Sequence, residues 1–459
     1  MNTKLKILQG AGQIGGNIVL LEGENSRIIL DFGIPLTELG GAPEQRAKDF
    51  CEKNECSLKQ NPQSRLMRGA SGNPTNLKLN DKRIKKYLPD IPDLYKCKQD
   101  KQTLIFISHA HPDHFGLLRY VDKSIPIYTT KETKLLIEKG SKLLYDNLFD
   151  DLNLIEIKET IKTPDFLIDA FEVNHSVAGA CAFRITDIKS KKSILYSGDL
   201  RTHGRSMTEN ELFRELNIAP DYMILEGTTL SREETHTDEV QTPLTKTEQD
   251  LENEMTEIFS QDKMSLVCCS PLNTDRIMSV YNACRRANKT FVIDPYTAYI
   301  LESFRGSNLP NYKSENIKVY CVPNTQSEKI FEDVKNKKFG HNKIAFDDIM
   351  AEPSKYVVKD NFKIAESITK RIDIDKINLV YSYWEGYLED KNYRWHKYIN
   401  QLKHVHTSGH IAKSDLVKLV DDLKPDKIIP IHTLANEKFK EYFGDKVILL
   451  DKTSALEII

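Results

Sequence analysis

The run His109-Ala110-His111-Pro112-Asp113-His114 constrains this chain more than any other feature, because it directly follows the buried-strand pattern TLIFIS. In an extended backbone, residues two apart point to one side, so His109 and His111 present their imidazoles together. Pro112 disfavours helical geometry at His111 and keeps it extended. Asp113 and His114 then fall at the start of a helix, adjacent and free to diverge toward a second ion. Neutral imidazole nitrogen with carboxylate oxygen is a zinc-type ligand set. Any fold of this chain has to deliver a strand end, a sharp turn and a helix start to one metal site.

Three further positions extend that set. His175 follows a strand pattern in FEVNHSVAG, Asp199 follows a glycine in LYSGDLR, and His432 ends the strand pattern KIIPIH. Taken singly they are ordinary: a hydrogen-bonded histidine, a turn aspartate, a strand-end histidine. Together with the first motif they supply seven ligands, enough for two metals with an open position.

Composition limits the setting. A chain of 459 residues exceeds one ordinary core and is expected to form two or three domains. Lys+Arg 65 against Asp+Glu 67 leaves a net charge of −2, so a polyanion would have to be held by a local basic groove. No apolar stretch is long enough to span a membrane, and the N-terminus lacks a signal-peptide shape. Cys268 and Cys269 are adjacent in an apolar run, and Cys51 and Cys56 are spaced wrongly for a zinc knuckle. The cysteines therefore read as reduced thiols of a cytoplasmic protein.

The secondary-structure pattern changes along the chain. KLKILQG, NIVLLEG and RIILDFG are short strands, followed by a polar insertion at about 35–100. NLIEI, FLIDAFEVN, ACAFRITD and KSILYSGD continue a β-rich pattern that suggests two sheets face to face under helices. After about His203, the segments MILEG, KTEQDLENEMTEIFSQ, MSLVCCS, TDRIMSVYNACRRAN and TFVID alternate strand and helix. That is the rhythm of an open parallel sheet. From about Trp395 the pattern reverts, through HVHTSGH and SDLVKLVDDLK to KIIPIHT.

These motifs, in this order, resemble the metallo-β-lactamase superfamily and, within it, the β-CASP nucleases of the RNase J-like type. Asp31 in LDFG looks like the first motif, HAHPDH the second, His175 the third and Asp199 the fourth. Glu226 in LEGT resembles motif A, His410 in HTSGH motif B, and His432 in PIHT motif C. The resemblance runs over about residues 5–458. It implies an α/β fold class: an αββα metallo-β-lactamase sandwich with an inserted, Rossmann-like β-CASP domain. The implied limits are 1–204 and 396–459 for the sandwich and 205–395 for the insertion, with substrate in the cleft between them.

The same resemblance implies two zinc ions, with manganese as an alternative. His109, His111 and His175 would hold one, and Asp113, His114 and His432 the other. Asp199 would bridge them, and Asp31 would orient a ligand histidine. His410 would contact the scissile phosphate and protonate the leaving oxygen, with Glu226 orienting it and favouring its charged form. Two cations about 3.5–4 Å apart suit an in-line phosphoryl displacement. Phosphate contacts are expected from backbone N–H groups at Ser408–Gly409 and in the loop from Ser270 that leads into a helix. Arg201 and Arg276, with His203 and Arg205, are candidate charge partners.

The expected function is a zinc-dependent ribonuclease, a 5′→3′ exonuclease with endonuclease activity, in RNA processing or decay. DNA-repair members of the family tend to carry Val at motif C, so His432 favours RNA. RNA is the expected partner, with no membrane, and the resemblance allows a homodimer. One rival is a β-CASP nuclease for single-stranded DNA. Another is an idle RNA-binding or scaffold member, which the intact ligand set speaks against. A small-molecule thioester or lactam hydrolase gives no reason for Glu226, His410 or the inserted domain.

Overall fold

The computed structural model describes residues 2–36, 84–91, 93–96, 100–144, 147–205, 211–212, 219–231, 245–304, 308–322, 342–360, 362–389 and 393–459. Most of the expected insertion at 35–100, including Cys51 and Cys56, lies outside the described residues. Within them the chain forms two compact units. One takes the residues up to 231 together with Ser408–Ile459; the other takes Thr245–Thr407.

The first unit opens with β1 (Thr3–Gln9), β2 (Ile18–Glu22), β3 (Ser26–Leu30), β4 (Gln102–Phe106), β5 (Ile127–Thr129) and β6 (Leu154–Glu156). It continues with β7 (Ile161–Lys162), β8 (Phe166–Glu172), β9 (Cys181–Asp187), β10 (Ser193–Tyr196) and β11 (Tyr222–Glu226). The second unit holds β12 (Met264–Cys268), β13 (Thr290–Ile293), β14 (Ile317–Val319), β15 (Tyr356–Lys359), β16 (Ile377–Tyr381) and β17 (Leu402–His404). The chain then returns to the first unit with β18 (Lys427–Ile431) and β19 (Leu456–Ile458).

Two sheets build the first unit, in the orders β19-β1-β2-β3-β4-β5-β6 and β18-β11-β10-β9-β8-β7. Alternation in β1 turns Leu5 and Ile7 inward, and β2, β3 and β4 add Val19, Leu21, Ile28, Leu30, Leu104 and Phe106. They meet Phe183, Ile185, Ile194, Ile224 and Ile429 of the second sheet in one core. The outer face of that second sheet packs Leu195, Met223 and Leu225 against Leu416, Leu419 and Leu423 of the helix Lys413–Leu423. Burying each such side chain contributes about 1.5–3 kcal/mol. A one-residue slip would turn the inward set outward, so register is strongly held. That register fixes where each strand ends, and the candidate site residues lie at strand ends.

The second unit is a six-stranded sheet, β14-β13-β15-β12-β16-β17, with every pair parallel. Apolar side chains cover both its faces. Val267, Phe291 and Val357 pack with Leu251, Ile277 and Val280 on one side, and Leu266, Val358 and Leu379 pack with Ile349, Ile364 and Ile368 on the other. Among the described residues, no helix is long and apolar enough to cross a membrane.

The division between units differs from the limits read in the sequence, 204/205 and 395/396. β11, read as the first strand of the alternating domain, instead pairs parallel with β10 and β18 in the first unit. β17, read as part of the returning segment, pairs parallel with β16 in the second unit. Local pattern marks a strand but not its partner, and the partner decides the unit.

Candidate metal centre

Strand ends converge here. β3 and β4 run parallel, as do β10, β11 and β18, so Asp31, His109, Asp199, Glu226 and His432 all follow or close the carboxyl ends of strands. His111 stays extended at φ −96° and ψ 139°, and Pro112 opens the short helix Pro112–Phe115 that carries Asp113 and His114. The helix that starts there ends at Phe115, and a 3₁₀ turn follows at Leu118–Tyr120. Asp31 and His432 adopt left-handed backbone, φ 56° and 55°. Such conformations cost about 1–3 kcal/mol each. Bonds from Asp31 N to the Phe106 carbonyl (2.8 Å) and from His432 N to the Gly10 carbonyl (3.0 Å) hold them. Gly198, at φ +57°, makes the turn that aims Asp199.

Two trios of ligand atoms result, each with its members within 4.8 Å of one another: His109, His111 and His175, and Asp113, His114 and His432. In the first, His111 Nδ1 lies 3.0 Å from His109 Nε2 and 3.2 Å from His175 Nε2. In the second, His432 Nε2 lies 3.4 Å and His114 Nε2 3.9 Å from Asp113 Oδ2. Asp199 stands between them. Its Oδ2 is 3.2 Å from His114 Nε2, 3.6 Å from His432 Nε2, 3.8 Å from His109 Nε2 and 3.9 Å from His175 Nε2. Gly15 leaves room for Asp113: a Cβ there would sit 2.6 Å from Asp113 Oδ2.

Surrounding hydrogen bonds set which nitrogen each imidazole offers. Asp31 Oδ2 accepts from His114 Nδ1 (2.7 Å), Ser108 Oγ (2.8 Å) and the Tyr196 hydroxyl (2.6 Å), while its Oδ1 accepts from Ser108 N (2.7 Å). Because the Ser108 hydroxyl donates to Asp31, it accepts from His109 Nδ1 at 3.0 Å. His175 Nδ1 donates to the Gly409 carbonyl at 2.5 Å. Thr228 Oγ1 donates to the His432 carbonyl (3.1 Å) and accepts from His432 Nδ1 (2.7 Å). His109, His114, His175 and His432 therefore each carry Nδ1–H and turn Nε2 inward, where it can serve as the ligand atom. Such partners typically orient and strengthen metal-binding imidazoles.

Charge is distributed unevenly. Burial, reinforced by neighbouring imidazoles, holds His109 and His175 well below the usual histidine range. Burial also brings His111 down to about 4, with Asp113 opposing it. Burial works the same way on His114, but Asp199, Asp31 and Asp113 outweigh it and hold His114 well above the usual range. His432 is also raised against burial, by Asp199 and Asp113. Asp199 lies well below the carboxylate range: burial would raise it, and His432, His114 and His410 overcome that.

The residues fit a metal. His114 Nε2 and Asp199 Oδ1 are buried without a hydrogen-bond partner. In the first trio, two lone pairs converge on one neighbouring nitrogen. Leaving buried polar atoms unpaired costs about 1–3 kcal/mol each, and a cation would satisfy them. A testable consequence is proton release. Because carboxylates hold His114 and His432 above the usual histidine range, a binding ion competes with protons there. Zinc titration at pH 7, by calorimetry in buffers of different ionisation enthalpy, should show net release of about one or more protons per chain. Apparent affinity should fall as pH falls; binding without proton release would contradict these shifts.

The remaining sequence candidates divide. Glu226 and His410 join the cluster, with His410 Nδ1 3.1 Å from Glu226 Oε1. Glu226 is fully buried, and its oxygens also accept from Leu200 N (3.3 Å) and Thr228 N (3.0 Å). Arg201 and Arg276, expected as phosphate partners, do not stand exposed. Arg276 is fully buried in the second unit, in a two-pronged ion pair with Glu248 at 3.0 Å, and it also bonds Ser382. Arg201 is equally buried, bonding Asn174 Oδ1 (2.6 Å) and the Ser408 carbonyl (3.2 Å). Exposure decides this, and residue type does not report it. Ser408 and Gly409 bind through their carbonyls, as above. Ser270 opens the turn before the helix Thr274–Arg286, whose N-terminus is capped by the Asn273 side chain. Reading the sequence missed Ser108, Tyr196 and Thr228. Each stands within a motif (SHAHPDH, LYSGD, LEGT), but a hydroxyl beside a motif is too common to single out.

Two family models match: a β-lactamase superfamily domain over residues 92–258, and a Zn-dependent metallo-hydrolase RNA specificity domain over residues 399–449. Ribonuclease J of Helicobacter pylori is 26% identical over 207 residues, covering 44% of this chain and 23% of the relative. Ribonuclease J 2 of Staphylococcus saprophyticus is 24% identical over 209 residues, covering 43% and 36%. The matched stretch thus spans about a quarter to a third of these relatives' length. A crystal structure of a protein of unknown function from Enterococcus faecalis is similar in fold throughout, with TM-score 0.71, 20% identity and full coverage of both chains. With the two-sheet unit, the parallel-sheet unit and the ordered motifs all in place, this chain carries a β-lactamase superfamily domain and a Zn-dependent metallo-hydrolase RNA specificity domain, and it is similar to ribonuclease J proteins.

Proposed function

We propose that the chain is a metal-dependent ribonuclease that hydrolyses RNA phosphodiester bonds, using two zinc ions, with manganese as an alternative. It works 5′→3′ from RNA ends with endonuclease activity, in cytoplasmic RNA processing or decay. One observation carries this reading: Asp199, at the junction of the two trios, also groups with Glu226, His410 and His432 within 4.8 Å. A two-ion site and an oriented acid thus share one centre. The matched RNA specificity domain, which contains His410 and His432, and the ribonuclease J relatives support RNA as substrate.

When bound, the ions would supply Lewis-acid stabilisation of phosphoryl charge and an ionised water near neutral pH. His109, His111 and His175 would hold one ion and Asp113, His114 and His432 the other, with Asp199 shared. The chain's own task is then the leaving group. His410 is anchored at Nδ1 by Glu226, and its side chain is 15% exposed, so it can reach a substrate. It gives a proton to the departing sugar oxygen. Glu226 keeps the ring from rotating, since both of its own oxygens are tied to backbone N–H groups.

End-labelled RNA and single-stranded DNA of one sequence test the substrate. RNA carrying 5′ monophosphate, triphosphate or hydroxyl should be cut, with a 5′ label leaving early as mononucleotide. DNA should react at least about tenfold more slowly, as expected where the 2′-hydroxyl is read. Binding should weaken with salt at a modest slope, set by the few phosphates contacted. Equal rates on RNA and DNA would remove the RNA assignment and leave the metal site standing.

A further inference from the structure

The segment carrying His410 has no regular structure of its own: residues 405–412 lie between β17 and the helix Lys413–Leu423. At Ser408–His410 its backbone takes side-chain partners. His203 Nε2 donates to the Ser408 carbonyl at 2.8 Å, and Arg201 Nη1 donates to the same oxygen at 3.2 Å. His175 Nδ1 holds the next carbonyl, that of Gly409, and His410 N closes back on Ser408 Oγ at 3.0 Å. Arg201 is itself anchored, through Nε to Asn174 Oδ1 and through its own N to the Asn174 carbonyl at 2.7 Å.

We infer that Arg201 and His203 are positioning residues for His410: by clamping the Ser408 carbonyl they set the imidazole two residues on against Glu226. This inference rests on the reading of His410 as the acid. A charged donor makes a stronger hydrogen bond than a neutral one, and here two donors share one carbonyl in a buried setting. Proton delivery is sensitive to placement, since a misplacement of about 1 Å can cost about a hundredfold in rate. Neither residue belongs to the ligand trios. Loosening the clamp should thus impair proton transfer while leaving the ions in place.

The test compares two leaving groups. RNA loses a sugar alkoxide, which needs a proton. Bis(p-nitrophenyl) phosphate loses p-nitrophenolate, which departs without one. His203→Leu should lower kcat on RNA about tenfold and change the rate on bis(p-nitrophenyl) phosphate less than about twofold. Zinc content at saturation and the melting transition should match wild type. His203→Gln, which keeps an N–H near the Nε2 position, should restore most of the RNA rate.

The inference is overturned if both substrates slow equally, if RNA cleavage is unchanged, or if Gln does no better than Leu. Should His203→Leu fail to fold, Arg201→Lys is measured the same way and must show the same RNA-selective loss. His410→Ala is the control. If it slows both substrates equally, the acid reading falls; if it is RNA-selective and the His203 variants are not, the clamp alone falls.

Discussion

Replacing Asp199 by alanine should strip bound metal from the protein and abolish hydrolysis. Its Oδ2 is the atom nearest to both trios, within 3.2–3.9 Å of four imidazole nitrogens. Removing it deletes a ligand shared by the two positions, so both affinities should fall together. Loss of an activating metal site removes the largest electrostatic contribution to such a reaction, and activity should drop by about 10⁴-fold or more. His111→Ala should behave differently. His111 is less buried than His109 and belongs to the first trio only, so about one ion per chain should be lost while turnover still stops. Metal analysis of the purified variants, beside their melting transitions, separates these outcomes from misfolding. Full activity in an exhaustively chelated wild-type sample would overturn the metal assignment for both.

His410→Ala should lower the chemical step by about 10²–10⁴-fold, the range of a positioned general acid, with metal content unchanged. His410 lies within the group around Asp199, 3.8 Å from its Oδ2, yet its Nδ1 is committed to Glu226. A ligand role would instead release an ion when the ring is removed, and that result would reassign it. Glu226→Gln keeps the size and loses the charge, so the ring stays near its place but is less firmly held. A milder defect of the same kind is expected. A Glu226→Gln variant as impaired as His410→Ala would show that Glu226 acts beyond orienting the ring. Single-turnover cleavage of end-labelled RNA at saturating zinc reads both variants without interference from product release.

What could be read from sequence was local. HAHPDH carries its own geometry, because strand alternation and a proline-started helix fix four side-chain directions within six residues. The alternating strands and helices from Met264 to Asp294 likewise announce a parallel sheet. The unit boundaries were not legible. β11 and β17 look like their neighbours in sequence, and the hydrogen-bond partner, chosen by packing across distant chain segments, assigned each to its sheet.

The site divides in the same way. The sequence by itself determined which residues could bind metal or move a proton, since imidazole and carboxylate chemistry belongs to the residue type. Only the tertiary structure decided what each one does with its surroundings. It buried Arg201 and Arg276 and spent their donors on Ser408 and Glu248. It also recruited Ser108, Tyr196 and Thr228 to set the imidazole tautomers. Burial and hydrogen-bond direction depend on contacts between residues far apart in the chain, as between Asp113 and His432, 319 positions apart. No local pattern encodes such contacts; they exist once the sheets have packed and their registers have fixed the strand ends.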